Sequence, residues 1–153
     1  VLVVILLYTT ISTNSRFKRY MDEDKEQFVN TINNLIVKSK MKMDEIISNR
    51  DKVNTEDIEL LKMCHEDLEK NLFEFKKKAQ FISKDVSNGF QELWEKYEFA
   101  EEINLDTTNK YYENLLKRIG TEEIVTLNDD DIPMLEAIYN LYSDIRKDIN
   151  NIL

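Results

Sequence analysis

Between residues 58 and 93, mainly apolar side chains recur at intervals that alternate between three and four residues. This is the 3.5-residue repeat of helices that pack against one another along their length. The repeat therefore predicts a long helix with one buried face. We call this row the seam, and its members are Ile58, Leu61, His65, Leu68, Leu72, Phe75, Ala79, Ile82, Val86, Gly89 and Leu93.

Glycine and proline are scarce, which limits the number of turns. The chain has 2 Gly and 1 Pro among 153 residues, against typical frequencies of about 7% and 5%. Repeated reversals of a sheet need such residues, so we predict an all-α chain of one domain. The expected fold is an elongated antiparallel helical bundle over residues 16–153, with coiled-coil-like heptad packing and an apolar helix before it at the N-terminus.

The first helix of the bundle is predicted from about Phe17 to Arg50, because apolar residues recur there at helical spacing. They are Phe17, Met21, Phe28, Ile32, Leu35, Ile36, Met43, Ile46 and Ile47. The polar stretch Asn49–Asn54 is the expected reversal, with Asn54 as the N-cap of the next helix and Asp57 near that helix's positive end. This hairpin favours closure of the seam within one chain over a coiled coil between chains.

The second helix carries the seam and is expected from about Thr55 to Glu102, which makes it the longest element of the bundle. Ser87, Asn88 and Gly89 weaken its helical pattern two thirds of the way along. Glycine in a helix interior costs about 1 kcal/mol relative to alanine. We therefore expect a kink at these residues, or a break into two helices.

Two shorter helices are predicted after the seam. Asn104–Thr108 should form a polar break, followed by a helix whose end is marked by Gly120, a residue type that is common just past a helix. The residues after Gly120 are expected to form a connection. The last helix should begin at Asp130 or Asp131, because Pro133 then falls in its first turn, where the missing N–H costs nothing.

The first 15 residues carry no charge, and Val1–Leu7 are uniformly aliphatic. A helix of about 15 residues rises about 22 Å, short of the roughly 30 Å hydrocarbon core of a bilayer. We interpret residues 1–15 as a membrane anchor or uncleaved signal segment, either whole or truncated, followed by the basic flank Arg16, Lys18 and Arg19. The alternatives are the apolar region of a cleaved signal, and a core helix or strand.

Charge is unevenly distributed along the chain. Residues 98–153 carry 5 Lys and Arg against 13 Asp and Glu, and so hold −8 of the formal net charge of −9. Such a segment repels nucleic acid and anionic lipid, which makes either of them an unfavourable partner. An acidic face in contact with solvent explains the excess, and a basic partner surface is the alternative.

His65 and Cys64 are the only histidine and the only cysteine. One histidine excludes, within one chain, the paired Glu-x-x-His motifs of ferritin-like di-iron sites, and two nitrogen or sulfur ligands are too few for the usual zinc sites. Neighbours on a helix do not face each other, which argues against a catalytic dyad. We expect both side chains to be structural, with His65 tuning register or partner number at its seam position.

Other patterns that resemble functional motifs have simpler explanations. Asp129–Asp131 lacks the spacing of a calcium-binding loop and is expected to cap the last helix. Lys76–Lys78 is expected to face solvent, the alternative being contact with lipid headgroups or an acidic partner. Two distant glycines cannot form a phosphate-binding loop. Several aromatic residues at helical spacing are expected in the core or at its boundary, namely Trp94, Tyr111, Tyr112, Tyr139 and Tyr142.

The sequence therefore predicts no catalytic, cofactor-binding or metal-binding residues. We expect a non-enzymatic, membrane-associated helical bundle that acts through protein–protein interaction, as an adaptor, spacer or assembly factor. Its partner would be another protein or a second copy bound through helical faces, with no nucleic acid and no small-molecule substrate. A soluble self-associating bundle with residues 1–15 in its core is the alternative, and a ligand-sensing bundle is a less favoured one. The expected location is the membrane, through a single N-terminal anchor, on a side that the sequence leaves open.

Overall fold

The computed structural model describes residues 22–153 with their side chains, and only the bounds of its first helix reach back beyond them, to Leu2. Its regular elements are α1 (Leu2–Ser48), β1 (Val53–Asn54), α2 (Thr55–Ala79), α3 (Lys84–Glu98), α4 (Leu105–Ile119), β2 (Ile124–Val125) and α5 (Asp131–Ile152). The predicted all-α class is confirmed, because the two strands have only 2 residues each. Among residues 22–153, no helix is both long and apolar enough to cross a membrane. The predicted anchor, residues 1–15, lies outside the described residues.

Helices α1 and α2 form an antiparallel hairpin. At one end of the bundle Phe28 of α1 stacks on Phe75 of α2, with ring centroids 4.0 Å apart and an interplanar angle of 10°. At the other end Lys42 of α1 lies 3.3 Å from a carboxylate oxygen of Asp57, in the first turn of α2. The chain reverses between the two helices at residues 49–54, where the polar stretch predicted a turn.

Helices α3 and α4 together form a third leg that runs antiparallel to α2. Phe90 of α3 packs on Phe75 near the end of α2, with ring centroids 5.0 Å apart. Leu105, the first residue of α4, lies beside His65 in the middle of α2. The leg is interrupted between Glu98 and Leu105, where the chain leaves the helical path without reversing.

Helix α5 is the fourth leg and packs on α1 and α3. Lys40 of α1 places its Nζ 4.7 Å from the ring centroid of Tyr139. The last residues of α5 reach α3, because a Cβ added at Gly89 would lie 2.9 Å from Cγ2 of Ile152. The four legs of the described bundle therefore alternate in direction. Phe28 of α1 lies at the same end of the bundle as Phe75 and Ile152.

The seam forms the buried face of α2, as predicted. All seven of its members in this helix are buried, at spacings of 3, 4, 3, 4, 3 and 4 residues. Helix α1 contributes an opposing buried row that consists of Phe28, Ile32, Ile36, Ser39, Met43 and Ile46. Each large apolar side chain buried in this way contributes about 1.5–3 kcal/mol relative to exposure. The core between these rows therefore supplies much of the driving force for folding.

The predicted extent of the second helix is wrong. Helix α2 ends at Ala79 rather than near Glu102, and the chain turns before α3 begins at Lys84. The physical reason is the side chain of Ser83, which accepts a hydrogen bond from the N–H of Val86 and so caps a new helix. The seam members Ile82, Val86 and Gly89 are accordingly only partly buried, whereas Leu93 is in the core.

The break expected at Ser87–Gly89 is absent, because these residues lie inside α3. Gly89 does not interrupt the helix there. Its missing side chain instead leaves room for Ile152, whose Cγ1 would be 3.1 Å from an added Cβ. A close approach between two elements is one of the usual reasons for a glycine within a helix.

The polar break predicted at Asn104–Thr108 is also partly wrong, because α4 starts within it. Asn104 is the N-cap, and its side chain accepts from the N–H of Thr107 at 2.8 Å. The hydroxyl oxygen of Thr107 accepts in turn from the N–H of Asn104 at 2.9 Å, which completes a capping box. The end of α4 at Gly120 is confirmed, and the φ of 69° at this residue favours glycine.

Two connections that were predicted to be irregular pair with each other. Val53 lies opposite Val125 and Asn54 opposite Ile124 in a two-stranded antiparallel ladder. Asn54 occupies the N-cap position of α2, as predicted, but its side chain makes no capping hydrogen bond. Its backbone is held in the ladder instead. The ladder ties the α1–α2 turn to the α4–α5 connection at one end of the bundle.

Candidate functional site

His65, the residue with the greatest catalytic potential in the sequence, lies fully buried at the centre of the bundle. The seam turns its ring away from solvent and towards α4 and α5. Its Nε2 atom is 2.7 Å from the backbone carbonyl oxygen of Leu105. Its Nδ1 atom is 2.8 Å from the hydroxyl of Tyr142 on α5. The hydroxyl of Tyr142 is in turn 3.1 Å from that of Tyr112 on α4.

The carbonyl of Leu105 fixes the direction of every hydrogen bond in this set, which we call the His65 network. A carbonyl oxygen only accepts, so Nε2 of His65 carries the proton and Nδ1 of the neutral ring is an acceptor. Tyr142 therefore donates to Nδ1, and its oxygen accepts from the hydroxyl of Tyr112. The network leaves no polar atom of the imidazole without a partner, as a dry interior requires.

Burial also sets the protonation states in the network. Desolvation lowers the pKa of His65 to about 4, although the hydrogen bond to Leu105 and the charge of Glu66 act in the opposite direction. Desolvation raises the pKa of both Tyr112 and Tyr142 above the usual value of a phenol. All three side chains are therefore neutral at pH 7, and none is placed to exchange a proton with solvent.

Cys64, next to His65 in sequence, is also buried and has a free thiol. Both nitrogens of His65 already have partners on α4 and α5, so neither is available to activate this thiol. The structure thus places the two residues in one core without the hydrogen bond that a cysteine–histidine dyad needs. Within residues 22–153, no group of three or more His, Cys, Asp or Glu side chains could hold a metal ion.

A second polar cluster joins the start of α5 to α4, and its centre is Asp131, which is only 3% exposed. Arg118 and the hydroxyl of Tyr111 donate to its carboxylate, the latter at 2.8 Å. The N–H of Asn128 donates to it at 2.8 Å as well. Burial alone would raise the pKa of Asp131, but these donors outweigh it and hold the pKa below its usual value.

The role expected for the acidic run Asp129–Asp131 is therefore corrected. Asp130 is the N-cap of α5, but its side chain makes no capping hydrogen bond. Asp131 lies within the first turn, where it bonds to Asn128 and reaches Arg118 across the connection. Its charge is balanced by a guanidinium on another helix, because the side chain is buried and cannot be left unpaired.

Asp131→Asn should lower the free energy of unfolding by about 1–2 kcal/mol, because hydrogen bonds to an ionised carboxylate are stronger than those to an amide. The loss is limited by Arg118, whose side chain is 45% exposed and regains hydration. The neighbouring change Asp130→Asn is the matched control and should stay within about 0.5 kcal/mol of wild type. Urea denaturation followed by circular dichroism measures both. Equal effects of the two changes would contradict a structural role specific to Asp131.

The predicted solvent-facing lysines of α2 are partly engaged by aromatic rings. Lys77 places its Nζ 4.3 Å from the ring centroid of Phe73. The Nζ of Lys76 lies 5.6 Å from the ring centroid of Trp94 on α3. These are cation–π distances, so the lysines cover apolar surface while their charged ends stay in solvent. Lys78 is exposed, as expected for the whole run.

The interruption of the third leg leaves a surface cleft against α5, which we call the α5 cleft. It has a volume of about 460 Å³. Its lining residues are Lys96, Tyr97, Ala100, Glu101, Glu102, Ile103, Ala137, Asn140, Leu141 and Asp144. Phe99, next to Ala100 in the chain, is 72% exposed. No sequence pattern predicted this cleft, because it depends on how α5 crosses residues that belong to no helix.

Comparison with known proteins adds no relationship to this geometry: no protein-family model, no curated protein and no solved structure matches the chain.

Proposed function

We propose that this protein is a non-enzymatic, membrane-associated helical bundle that acts through contacts with other proteins, as an adaptor, spacer or assembly factor. The observation that carries the proposal is the His65 network. The side chains best suited to chemistry are buried and bonded to one another, and each has a role in joining α2, α4 and α5. Protein surfaces that remain outside this core are the parts left for recognition.

The membrane part of the proposal is supported by the sequence of residues 1–15, which contains no charged side chain. The described bundle begins at Asp22, at the end where Phe28 stacks on Phe75. An anchor before Asp22 would therefore hold this end close to the membrane. The end with the β1–β2 ladder would lie farthest from it, about 40 Å away along the 27 residues from Asp22 to Ser48.

The spacing of the buried residues on α2 also supports a mechanical role. Seven seam residues alternate at three and four positions over the full length of this helix. We propose that the apolar seam residues that face α1 pack against it in the knobs-into-holes manner of a coiled coil. Such packing resists bending, which is the property that a spacer or a scaffold needs. The interrupted third leg would then leave a cleft that a partner could recognise, while the α1–α2 hairpin stays continuous.

Flotation with liposomes tests the membrane part of this function. Vesicles of neutral phosphatidylcholine should carry the full chain upward in a density gradient, because insertion of an apolar segment needs no lipid charge. The double variant Val4→Asp/Leu6→Asp should stay at the bottom, since charges at the centre of an inserted segment are strongly disfavoured. Recovery of the wild-type chain at the bottom, or flotation of the double variant, would contradict the proposal.

A matched control distinguishes insertion of residues 1–15 into the bilayer from nonspecific adsorption of the bundle surface to lipid. Met41 on α1 and Met63 on α2 are each 61% exposed. The double variant Met41→Asp/Met63→Asp introduces the same two charges at apolar positions of the bundle surface. We expect it to float like wild type. If it stays at the bottom as well, the bundle surface rather than residues 1–15 is responsible for lipid binding.

A further inference from the structure

We propose that the α5 cleft binds a basic amphipathic segment of a partner protein. An apolar side chain of that segment would enter the cleft, and its Lys or Arg residues would lie on the acidic rim. The inference rests on the proposed function, because it names the kind of partner that a contact-forming bundle would take. The cleft has an apolar floor and a rim of carboxylates, and the exposed Phe99 precedes its lining residue Ala100 in the chain.

The floor of the α5 cleft is apolar because two elements present small or aliphatic side chains there. Ala100 and Ile103 come from the interruption between α3 and α4, and Ala137 and Leu141 come from α5. The chain between Glu98 and Leu105 belongs to no helix beside this part of α5. Ala137 adds depth, since its side chain is a single methyl group. The volume of about 460 Å³ lies within the range of about 300–1,000 Å³ that is usual for binding clefts.

Phe99 lies in the segment that forms one wall of the cleft and is 72% exposed. It is the C-cap of α3, so its side chain leaves the helix just where the leg is interrupted. Aromatic side chains are enriched at the centre of protein interfaces, where they bury a large area at a small cost in side-chain entropy. Phe99 does not line the cleft, but it is the residue before Ala100, which does, and a partner that extends beyond the cleft could cover its exposed ring.

The rim of the cleft is acidic. Glu101 and Glu102 lie on the interrupted segment, and Asp144 lies on α5. Lys96 is the single cation among the lining residues, and its Nζ is already 2.9 Å from a carboxylate oxygen of Asp148. The remaining carboxylates of the rim thus have no cation among the residues that line the cleft. A partner with positive charge would gain both faster association and correct orientation from them.

The negative field extends behind the interruption to α2. Burial, followed by the charges of Asp106, Glu98 and Glu66, raises the pKa of Glu69 above its usual value. Burial is the largest cause of this rise, and the three neighbouring carboxylates add to it. Asp106 has a cation partner, Lys110, at 2.9 Å. The acidic character of this region is therefore a property of several elements and not of the cleft rim alone.

This charge selects among possible occupants. Anionic lipid and nucleic acid would be repelled. A second copy that docked the same cleft about a two-fold axis would bring Glu101, Glu102 and Asp144 towards their own equivalents, because a two-fold contact is made by identical patches. Like charges placed opposite each other across an interface are costly. A basic segment with an apolar anchor satisfies the floor and the rim together.

A synthetic peptide provides the test. The probe is a fluorescent 14-residue peptide of two Leu-Lys-Lys-Leu-Leu-Lys-Leu repeats, and the same peptide with Glu in place of Lys is the charge control. Each peptide is titrated with the 153-residue chain that carries Val4→Asp/Leu6→Asp, a variant chosen because it should need no detergent. Fluorescence anisotropy of the peptide reports binding. We expect the basic peptide to bind with a measurable Kd and the acidic peptide not to bind.

Three variants in this background locate the binding site. Glu101→Gln/Glu102→Gln/Asp144→Asn should weaken binding of the basic peptide about tenfold, since three rim charges are lost. Ala137→Leu fills the cleft without a change in charge and should weaken binding by a similar factor. Glu59→Gln/Glu122→Gln/Glu123→Gln removes equal charge beside the β1–β2 ladder and should bind the peptide as tightly as Val4→Asp/Leu6→Asp alone.

The possible results separate this inference from the proposed function. Equal weakening by both triple variants, or unchanged binding in Ala137→Leu, would show nonspecific attraction and overturn the inference. Light scattering that shows a dimer, lost in Ala137→Leu, would assign the cleft to a second copy and overturn it too. Either result leaves the flotation experiment unaffected, whereas failure of the full chain to float contradicts the membrane proposal and leaves peptide binding intact.

Discussion

Tyr142→Phe should lower the free energy of unfolding by about 3 kcal/mol, although it removes a single oxygen atom. The hydroxyl of Tyr142 donates to Nδ1 of His65 and accepts from Tyr112, and all three side chains are buried. Without it, one acceptor and one donor lose their partners in a dry interior. Each buried group left unsatisfied costs about 1–3 kcal/mol, which makes this loss large for a conservative change.

Urea denaturation at pH 7, followed by circular dichroism, measures this effect. The control is Tyr139→Phe on the same helix. Tyr139 is half-buried, and its ring rather than its hydroxyl contacts Lys40, whose Nζ lies 4.7 Å from the ring centroid. We expect the control to stay within about 0.5 kcal/mol of wild type. If Tyr142→Phe proves equally mild, the interior is hydrated and the His65 network does not stabilise the fold.

The stability of the bundle should fall as pH decreases from 6.5 to 4, and His65 is the reason. Burial lowers its pKa from 6.5 to about 4 in the folded protein. Above pH 6.5 the ring is neutral in both states, and the stabilisation is fully present. Between pH 6.5 and 4 the unfolded chain takes up a proton that the folded core refuses. The total loss is about 3 kcal/mol and is complete below about pH 4.

The variant His65→Gln isolates this effect, because His65 is the only histidine in the chain. Glutamine offers both a donor and an acceptor but does not titrate. Denaturation at pH 7 and pH 4.5 should show a clear loss for wild type and little change for the variant. Glu69 acts with the opposite sign, since its pKa is raised in the folded state and its protonation favours folding as pH falls. An equal pH dependence in wild type and His65→Gln would contradict the assignment.

The periodicity of the sequence predicted the core of the long hairpin because that core depends on local spacing. The seam residues from Ile58 to Ala79 lie on one face of a helix because of their spacing, and the structure buries them. The end of that helix depended on weaker signals. The prediction placed a kink or break at Ser87–Gly89, where helix propensity is poor, whereas the break lies earlier in the chain and Ser83 caps α3. Packing of Gly89 under Ile152, at the far end of the chain, has no signature in the local sequence.

The His65 network shows the same limit for the candidate site. The seam predicted that His65 would face the interior, but its partners Leu105 and Tyr142 are 40 and 77 residues away in sequence. Their positions follow from the direction of the third leg and the return of α5. The cluster of Asp131 with Arg118 and Tyr111 likewise joins two helices across a connection. Periodicity gives the face of a helix, but not which helix lies opposite to it.

We propose that the polar side chains inside the bundle serve its structure and that recognition is left to the surface. The most direct test is nitrogen-15 NMR of the imidazole of His65, whose signals need no assignment because the chain has one histidine. We expect a neutral ring with its proton on Nε2 at pH 7 and a pKa of about 4. A pKa near 6.5, or a proton on Nδ1, would mean that the ring is hydrated or bonded differently. His65 would then be available for acid–base chemistry, which contradicts the structural role proposed here.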